Sequence, residues 1–402
     1  MNLLILAWSL AVSLLFGDAL APVDPLAAAA TPAVEVRDAG VGEIERLCAL
    51  YDELPECPEK LELEARIDAL SGQRYATYSR LFWYRDIEDA KRVARATNRP
   101  ILSLRMLGRL DQDLSCANSR FFRVVLYANR DVSTYLREHF VLHWSSERPV
   151  PRVTIDMGDG RRIETTLGGN SAHYVLDAEG RPIDVLPGLY SPVAFIRALQ
   201  EVEPLAELSP TLGDTERVWL LREHFERSGA AAVRLWGGAE ADALGAVTQP
   251  EPGLVTAERI TINKARVEMP IVKGVFGLNA ANAVALAPER VAEARLDTTS
   301  RALIARLRPL DWSRERTALG PRGIDVLAHA FEREIARDTR QNELDLRPRA
   351  RALFLQGDTP LDFATLNAAI YAQVFVTPAD DPWLGLGNPL VFSAVPNDGY
   401  VQ

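Results

Sequence analysis

The sequence predicts an α/β domain over residues 83–203, with a mixed sheet flanked by helices, followed by a mainly α C-terminal domain over residues 204–402. Two observations lead to this fold class. In the first part, short apolar segments typical of strands alternate with amphipathic helical patterns, and in the second part helical periodicity dominates. Hydrophobic residues make up 48% and charged residues 25% of the chain, which is enough to bury sizeable cores and excludes wholesale disorder.

The N-terminal 21 residues predict an export signal. An apolar run over residues 3–17 precedes Ala19-Leu20-Ala21, the small-x-small pattern that a signal peptidase cleaves. The alternative is a retained membrane anchor, for which this run is short, because a spanning helix needs roughly 20 apolar residues. Residues 22–40 are rich in Ala and Pro and predict a flexible tether. We therefore expect a periplasmic or secreted protein without a stable membrane span after signal cleavage.

Residues 41–82 predict a helical hairpin that carries two of the three cysteines. Cys48 and Cys57 lie nine positions apart. In an exported protein they could form a disulfide around a small loop, or both could stay reduced. The third cysteine, Cys116, is left over in either case and needs an explanation.

The elements of the α/β domain follow in a clear order. A helix over 86–98 is capped by Asp86 and ends before Arg99-Pro100. An Asp159-Gly160 turn between alternating residues predicts an inserted β-hairpin. The predicted strands are 101–106, 140–144, 172–176 and 182–186, the hairpin covers 153–167, and the closing helix covers 192–202.

The C-terminal domain is predicted to be helical apart from a strand-like stretch over 254–277 and a Pro- and Gly-rich tail over 378–402. The tail carries Trp383 and two further aromatic residues, so we expect it to pack on the domain. The helical patterns cover 214–228, 287–308, 322–344, 347–355 and 361–376.

Charge and motifs exclude several functional classes. The net charge is −10 and the chain has no long basic run, so we expect no nucleic-acid partner. The Gly-x-Ser-x-Gly, His-Glu-x-x-His, P-loop and haem-attachment patterns do not occur. His139 and His143 stand four apart but straddle the start of a strand, so we predict neither a metal site nor a cofactor.

The segment Cys116-Ala117-Asn118-Ser119 carries the chemistry that the sequence offers. It follows the strand begun by Arg99-Pro100, and Val132 and Phe140-Val141 come after it at matching distances. The region ends with a strand of the form HYVLDAEGRPID and with Gly188 before the last helix. Over residues 83–203 this arrangement resembles the thioredoxin-like superfamily, whose Cys-x-x-Cys stands at this place. The resemblance implies a thioredoxin fold, a reactive thiol at Cys116 and a protein thiol or disulfide as its partner. The helix dipole at such a position favours a thiolate.

The chain departs from the family pattern at two positions. Ser119 replaces the second cysteine, so the site cannot form an internal disulfide. Ser171 stands where the family places the cis-proline of its substrate groove, which here would include Asn170, Ser171 and His173.

These departures leave alternative functions open. Cys116, with Ser119 as its hydrogen-bonding neighbour, could act as a monothiol thiol–disulfide oxidoreductase. Alternatively, the domain is a redox-inactive thioredoxin-fold module for protein binding or assembly, in which Cys116 is a buried small residue. A further alternative is an enzyme of unrecognised class in the C-terminal domain. The oxidoreductase hypothesis requires an accessible thiol, and the module hypothesis predicts a buried thiol and exposed apolar surface on the helical half.

Overall fold

A four-stranded mixed sheet lies at the centre of the structure, a computed structural model that describes residues 39–166, 170–237, 286–307, 323–356 and 360–377. Its strands are β1 (Ile101–Leu107), β2 (Val141–Arg148), β5 (Ala172–Leu176) and β6 (Pro182–Pro187). Their order in the sheet is β2–β1–β5–β6, where β1 pairs in parallel with β2 and antiparallel with β5, and β5 pairs antiparallel with β6. The predicted mixed sheet is thus confirmed.

The first helices precede the sheet. The helical hairpin consists of α1 (Ala39–Glu53) and α2 (Pro58–Ser71), followed by the short α3 (Ala76–Ser79). The next helix, α4 (Ile87–Thr97), begins after Asp86, whose carboxylate accepts a hydrogen bond from the Glu88 backbone N–H at 2.7 Å.

Cys48 and Cys57 are both free thiols in the structure, which therefore does not contain the disulfide considered between them. Cys48 is buried in a small apolar cluster between the two arms of the hairpin, with Ile44 and Leu63, whereas Cys57 stands at the N-cap of α2. Burial raises the pKa of the Cys48 thiol to about 11, which makes Cys48 a packing residue.

Helices lie on both faces of the sheet. After β1 come α5 (Ala117–Phe121), a π-helical turn (Phe122–Leu126) and α6 (Arg130–His139), and α7 (Pro192–Leu208) follows β6. His173 packs on Phe195 of α7, while its neighbour Tyr174 packs on Phe363 near the C-terminus. We call residues 360–377, which include Phe363, the C-terminal segment. Because consecutive strand residues point to opposite faces, α7 and this C-terminal segment cover opposite sides of the sheet.

The predicted β-hairpin is present as a separate two-stranded sheet. It consists of β3 (Arg152–Asp156) and β4 (Arg162–Thr166), with Gly158 and Gly160 in the left-handed region of its turn. At its base, the Thr166 hydroxyl donates to the backbone oxygen of Ser115 at 2.9 Å. The hairpin thereby reaches the segment that precedes α5.

The C-terminal part is helical where it is described. It comprises α8 (Asp214–Trp236), α9 (Pro288–Glu293), α10 (Thr298–Leu307), α11 (Gly323–Gln341), a π-helical turn (Asn342–Leu346), α12 (Arg347–Phe354), α13 (Phe363–Ala369) and a final π-helical turn (Ile370–Val374). Buried residues of these helices, such as Ile335 and Phe354, belong to the same apolar core as the sheet.

Several predictions fall on residues that the structure does not describe. These are the export signal, nearly all of the tether, the strand-like stretch 254–277 and the tail 378–402. Among the described helices, none combines the length and the apolar composition needed to cross a membrane.

Candidate functional site

Cys116 stands at the start of a helix, directly after the loop that follows β1. It is the N-cap of α5, and its backbone N–H donates to the Leu107 oxygen at the end of β1 at 3.1 Å. Its own backbone oxygen accepts from the Arg120 N–H in the first turn. The sequence prediction of a cysteine where a strand passes into a helix therefore agrees with the structure.

Hydroxyl groups surround the Cys116 thiol. Its Sγ lies 2.9 Å from the Ser171 Oγ, and the thiol donates to the Ser119 Oγ at 3.4 Å. The Ser119 hydroxyl also lies 2.7 Å from the Ser115 Oγ. Two predicted site residues, Ser119 and Ser171, are thus in contact with the sulfur, and the sulfur has hydrogen-bond partners inside the protein.

Arg123, which the sequence analysis missed, organises the loop before Cys116. Its guanidinium donates to the backbone oxygens of Leu110, Gln112 and Asp113, and to the Ser115 hydroxyl at 3.1 Å. The residue is 1% exposed, and burial lowers the pKa of the guanidinium to about 10. The available signal was a single arginine in the otherwise apolar run Phe121 to Tyr127.

The C-terminal segment covers the side of the site at which β5 begins. The Tyr371 hydroxyl donates to the backbone oxygen of Asn170 at 3.0 Å, and the Asn170 side-chain amide donates to the backbone oxygen of Phe375 at 3.2 Å. Asn170, which the sequence assigned to a substrate groove, is therefore occupied by the chain itself. No local pattern could have indicated this contact, because 201 positions separate Asn170 from Tyr371.

His173 lies on the same face of β5 as Ser171 but inside an aromatic cluster. Its Nε2 lies 2.7 Å from the Tyr127 hydroxyl, and its ring packs on Phe122 and Phe195. The residue is fully buried, and burial lowers the pKa of its imidazole to about 3. An imidazole held neutral in this way is a packing and hydrogen-bonding group.

The Cys116 side chain is closed off from solvent, with 0% of its surface exposed. The accessible thiol that the oxidoreductase hypothesis requires is absent from this conformation. The physical reason is that the thiol belongs to the main apolar core, while the C-terminal segment occupies neighbouring Asn170.

The described part of the chain offers no cluster of three or more His, Cys, Asp or Glu side chains that could hold a metal ion. Comparisons of the chain with protein-family models, with curated proteins and with solved structures find no match in any of the three. The chemistry of the site is therefore argued from its own geometry.

Proposed function

We propose that residues 83–203 form a thioredoxin-like domain. Three features support the proposal: the strand order β2–β1–β5–β6, the parallel pairing of β1 with β2, and a cysteine at the first helix after β1. The contact between Cys116 and Ser171, just before β5, is a fourth. Each agrees with the resemblance drawn from the sequence.

The function that the geometry favours is that of a redox-inactive module for protein binding or assembly. One observation carries this proposal: the Cys116 sulfur is sealed in the interior and hydrogen-bonded to serine hydroxyls. Thiol–disulfide exchange requires a thiolate that approaches the disulfide sulfur in line, and a sulfur without solvent contact cannot do so. Since Ser119 replaces the second cysteine, the site also lacks an internal dithiol.

The helical half offers apolar surface for a partner, which the module hypothesis predicts. Trp219 on α8 is 65% exposed, and further large apolar side chains of this half are exposed as well. They are Leu208, Val233, Leu235, Leu307 and Val326. Aromatic side chains are enriched in protein–protein interfaces, so the exposed Trp219 is the residue of this half that best supports a binding role.

A monothiol oxidoreductase is the second candidate, and the position of Cys116 at the strand–helix junction favours it. In this case the thiolate would attack a mixed disulfide, and the other sulfur would leave as a thiolate. The reaction would require displacement of the segment around Tyr371 and Phe375 from Asn170.

Export to the periplasm or the outside of the cell remains part of the proposal and depends on residues 1–21 alone. Cell fractionation combined with N-terminal sequencing of the purified protein tests it. We expect an extracytoplasmic protein whose N-terminus follows Ala21. A cytoplasmic protein with the apolar run intact would contradict it.

A thiol–disulfide exchange assay tests the redox-inactive assignment. The full chain is incubated with a glutathionylated peptide and reduced glutathione, and the rate is compared for wild type, Cys116→Ala and Cys57→Ala. Because the Cys116 sulfur is buried, we expect Cys116→Ala to match the wild type. Cys57 is partly exposed, so Cys57→Ala controls for any background exchange. A rate lost in Cys116→Ala and kept in Cys57→Ala would establish the oxidoreductase instead.

A further inference from the structure

A cavity of about 490 Å³ lies between α4, the turn from β5 to β6, the start of α8 and the start of α13. Its volume falls within the range of roughly 300–1,000 Å³ that is typical of small-molecule sites. Part of its wall is apolar and is formed by Ile87, Pro182, Leu361 and Phe363. The cavity is separate from the Cys116 site, so this inference does not depend on the redox state of the cysteine.

Four cationic side chains also line the cavity: Lys91, Arg105, Arg181 and Arg217. Three of them form ion pairs with carboxylates that are not part of the wall. Lys91 pairs with Glu88 at 2.8 Å, Arg105 with Glu147 at 3.2 Å, and Arg181 with Asp177 at 2.7 Å.

Arg217 is the cation with the least compensation. It is 3% exposed, its Nε donates to the Ser209 hydroxyl at 3.1 Å, and its ion pair with the largely exposed Asp214 is long, at 3.5 Å. Its Nη2 is buried without a hydrogen-bond partner. Burial has the largest effect on the Arg217 guanidinium and lowers its pKa, and the charge of Arg181 acts in the same direction. The carboxylates of Asp177 and Asp214 oppose this shift in part. A buried donor without an acceptor is costly, so this guanidinium is suited to an additional anion.

Three carboxylates line the cavity, and none of them accepts from the Nη2 of Arg217. Asp214 lies 3.5 Å from the other terminal nitrogen, Nη1. Glu179 pairs with Arg95 at 2.9 Å, and Asp362 accepts from the backbone N–H groups of Ala364 and Thr365 at 3.0 Å. Arg105 contributes a second buried donor without a partner, its Nε, while its guanidinium stacks on Phe363. No carboxylate oxygen is buried without a partner in the described parts of the chain. The groups that lack partners in this wall are therefore donors.

We propose that this cavity binds a small organic carboxylate with an apolar body, the carboxylate meeting Arg217 and Arg105 and the apolar body lying against Ile87 and Leu361. Arginine guanidinium groups pair well with carboxylates, because their N–H donors match the two carboxylate oxygens. The apolar wall adds affinity that inorganic anions cannot gain.

Calorimetric titration of the full chain with octanoate tests the proposal. We expect saturable binding with one site per chain, with no comparable binding of octylammonium, which has the same tail and the opposite charge. Inorganic phosphate should bind much more weakly, because it lacks the apolar body. Octylammonium binding as tightly as octanoate, or no saturable octanoate binding at all, would overturn the proposal.

A charge variant locates the site without removing a buried group. Ala364 lines the cavity, is exposed, and lies in the first turn of α13, where a carboxylate is tolerated. Ala364→Glu should weaken octanoate binding by about threefold or more through like-charge repulsion, whereas Ala364→Gln should leave octanoate binding unchanged.

A second variant removes the buried cation itself. Arg217→Gln should weaken octanoate binding further than Ala364→Glu does, and Arg222→Gln, at an exposed position on the same helix, is the control. Equal affinities for all variants would assign the octanoate to another surface.

Discussion

At the scale of single residues, burial determines what the polar side chains of the sheet can do. His173 and His143 both have a hydrogen-bond partner inside the protein, Tyr127 and Ser103 respectively. Burial lowers the pKa of His173 to about 3 and of His143 to about 4. Both imidazoles are therefore neutral in the folded protein at physiological pH.

Neutral buried histidines make the stability of the protein depend on pH. An unfolded histidine takes up a proton near pH 6.5, whereas these two do so only near pH 3 and 4. Their stabilisation is therefore present above about pH 6.5 and is lost as the pH falls towards the folded values. Between pH 7.5 and 5.5, urea unfolding should show a loss of about 1–2 kcal/mol for each histidine.

Variants assign this pH dependence to the buried histidines. His173→Gln should reduce the difference in unfolding free energy between pH 7.5 and 5.5, even if the variant is less stable at both values. His329→Gln, at an exposed position on α11, should retain the wild-type difference. A difference that is unchanged in His173→Gln would contradict a neutral, buried imidazole.

At the scale of elements, the loop between β1 and α5 is held from inside by one arginine. Arg123 donates to three backbone oxygens of this loop, and Thr166 binds its end at Ser115. The loop has no regular secondary structure. Its position, and with it that of Cys116, depends on these contacts.

Arg123→Gln tests that dependence. The shorter side chain cannot reach the same set of oxygens, and it leaves buried acceptors without donors, so we expect a loss of about 2–4 kcal/mol in unfolding free energy. Arg109→Gln is the matched control, because Arg109 lies in the same loop and forms a surface ion pair with Asp111. That change should cost less than about 1 kcal/mol. Equal losses for the two variants would show that Arg123 does not hold the loop.

Secondary structure could be predicted from the sequence because its signals are local. The strand 172–176 was predicted with the observed ends, and Asp86 was identified as the cap of α4, because proline, glycine and capping residues mark these boundaries. The place of Cys116 between a strand and a helix follows from the same signals. The sequence leaves the burial of Cys116 open between the two hypotheses. Tyr371 and Phe375, which cover the neighbouring Asn170, lie 201 and 205 positions from it, and no local signal reports such a contact.

At the scale of the whole molecule, a buried ionic cluster joins the sheet to the C-terminal helices. Asp184 on β6 accepts from Arg347 at 2.7 Å and from Arg351 at 2.6 Å, and it lies 3.2 Å from His224. Burial by itself would raise the pKa of the Asp184 carboxyl, but the two guanidinium groups hold it well below its usual value. The helical part is thereby tied to the sheet by charge as well as by a shared core.

Asp184→Asn should destabilise the whole molecule. The change removes the carboxylate shared by two buried guanidinium groups, of which Arg347 keeps Glu343 and Arg351 loses its carboxylate partner. We therefore expect a loss of about 3–5 kcal/mol in a single unfolding transition. The exposed Asp131→Asn is the control and should change stability by less than about 1 kcal/mol. A loss below about 1 kcal/mol in Asp184→Asn would mean that the cluster does not join the two parts.

Thiol labelling of the native full chain, followed by peptide mapping, tests the central claim most directly. N-ethylmaleimide should modify the partly exposed Cys57 readily, while Cys116 should react only at the rate at which the protein unfolds, rising with added urea. Rapid modification of Cys116 in the native protein, at a rate that does not follow unfolding, would contradict a sealed sulfur and restore the oxidoreductase hypothesis.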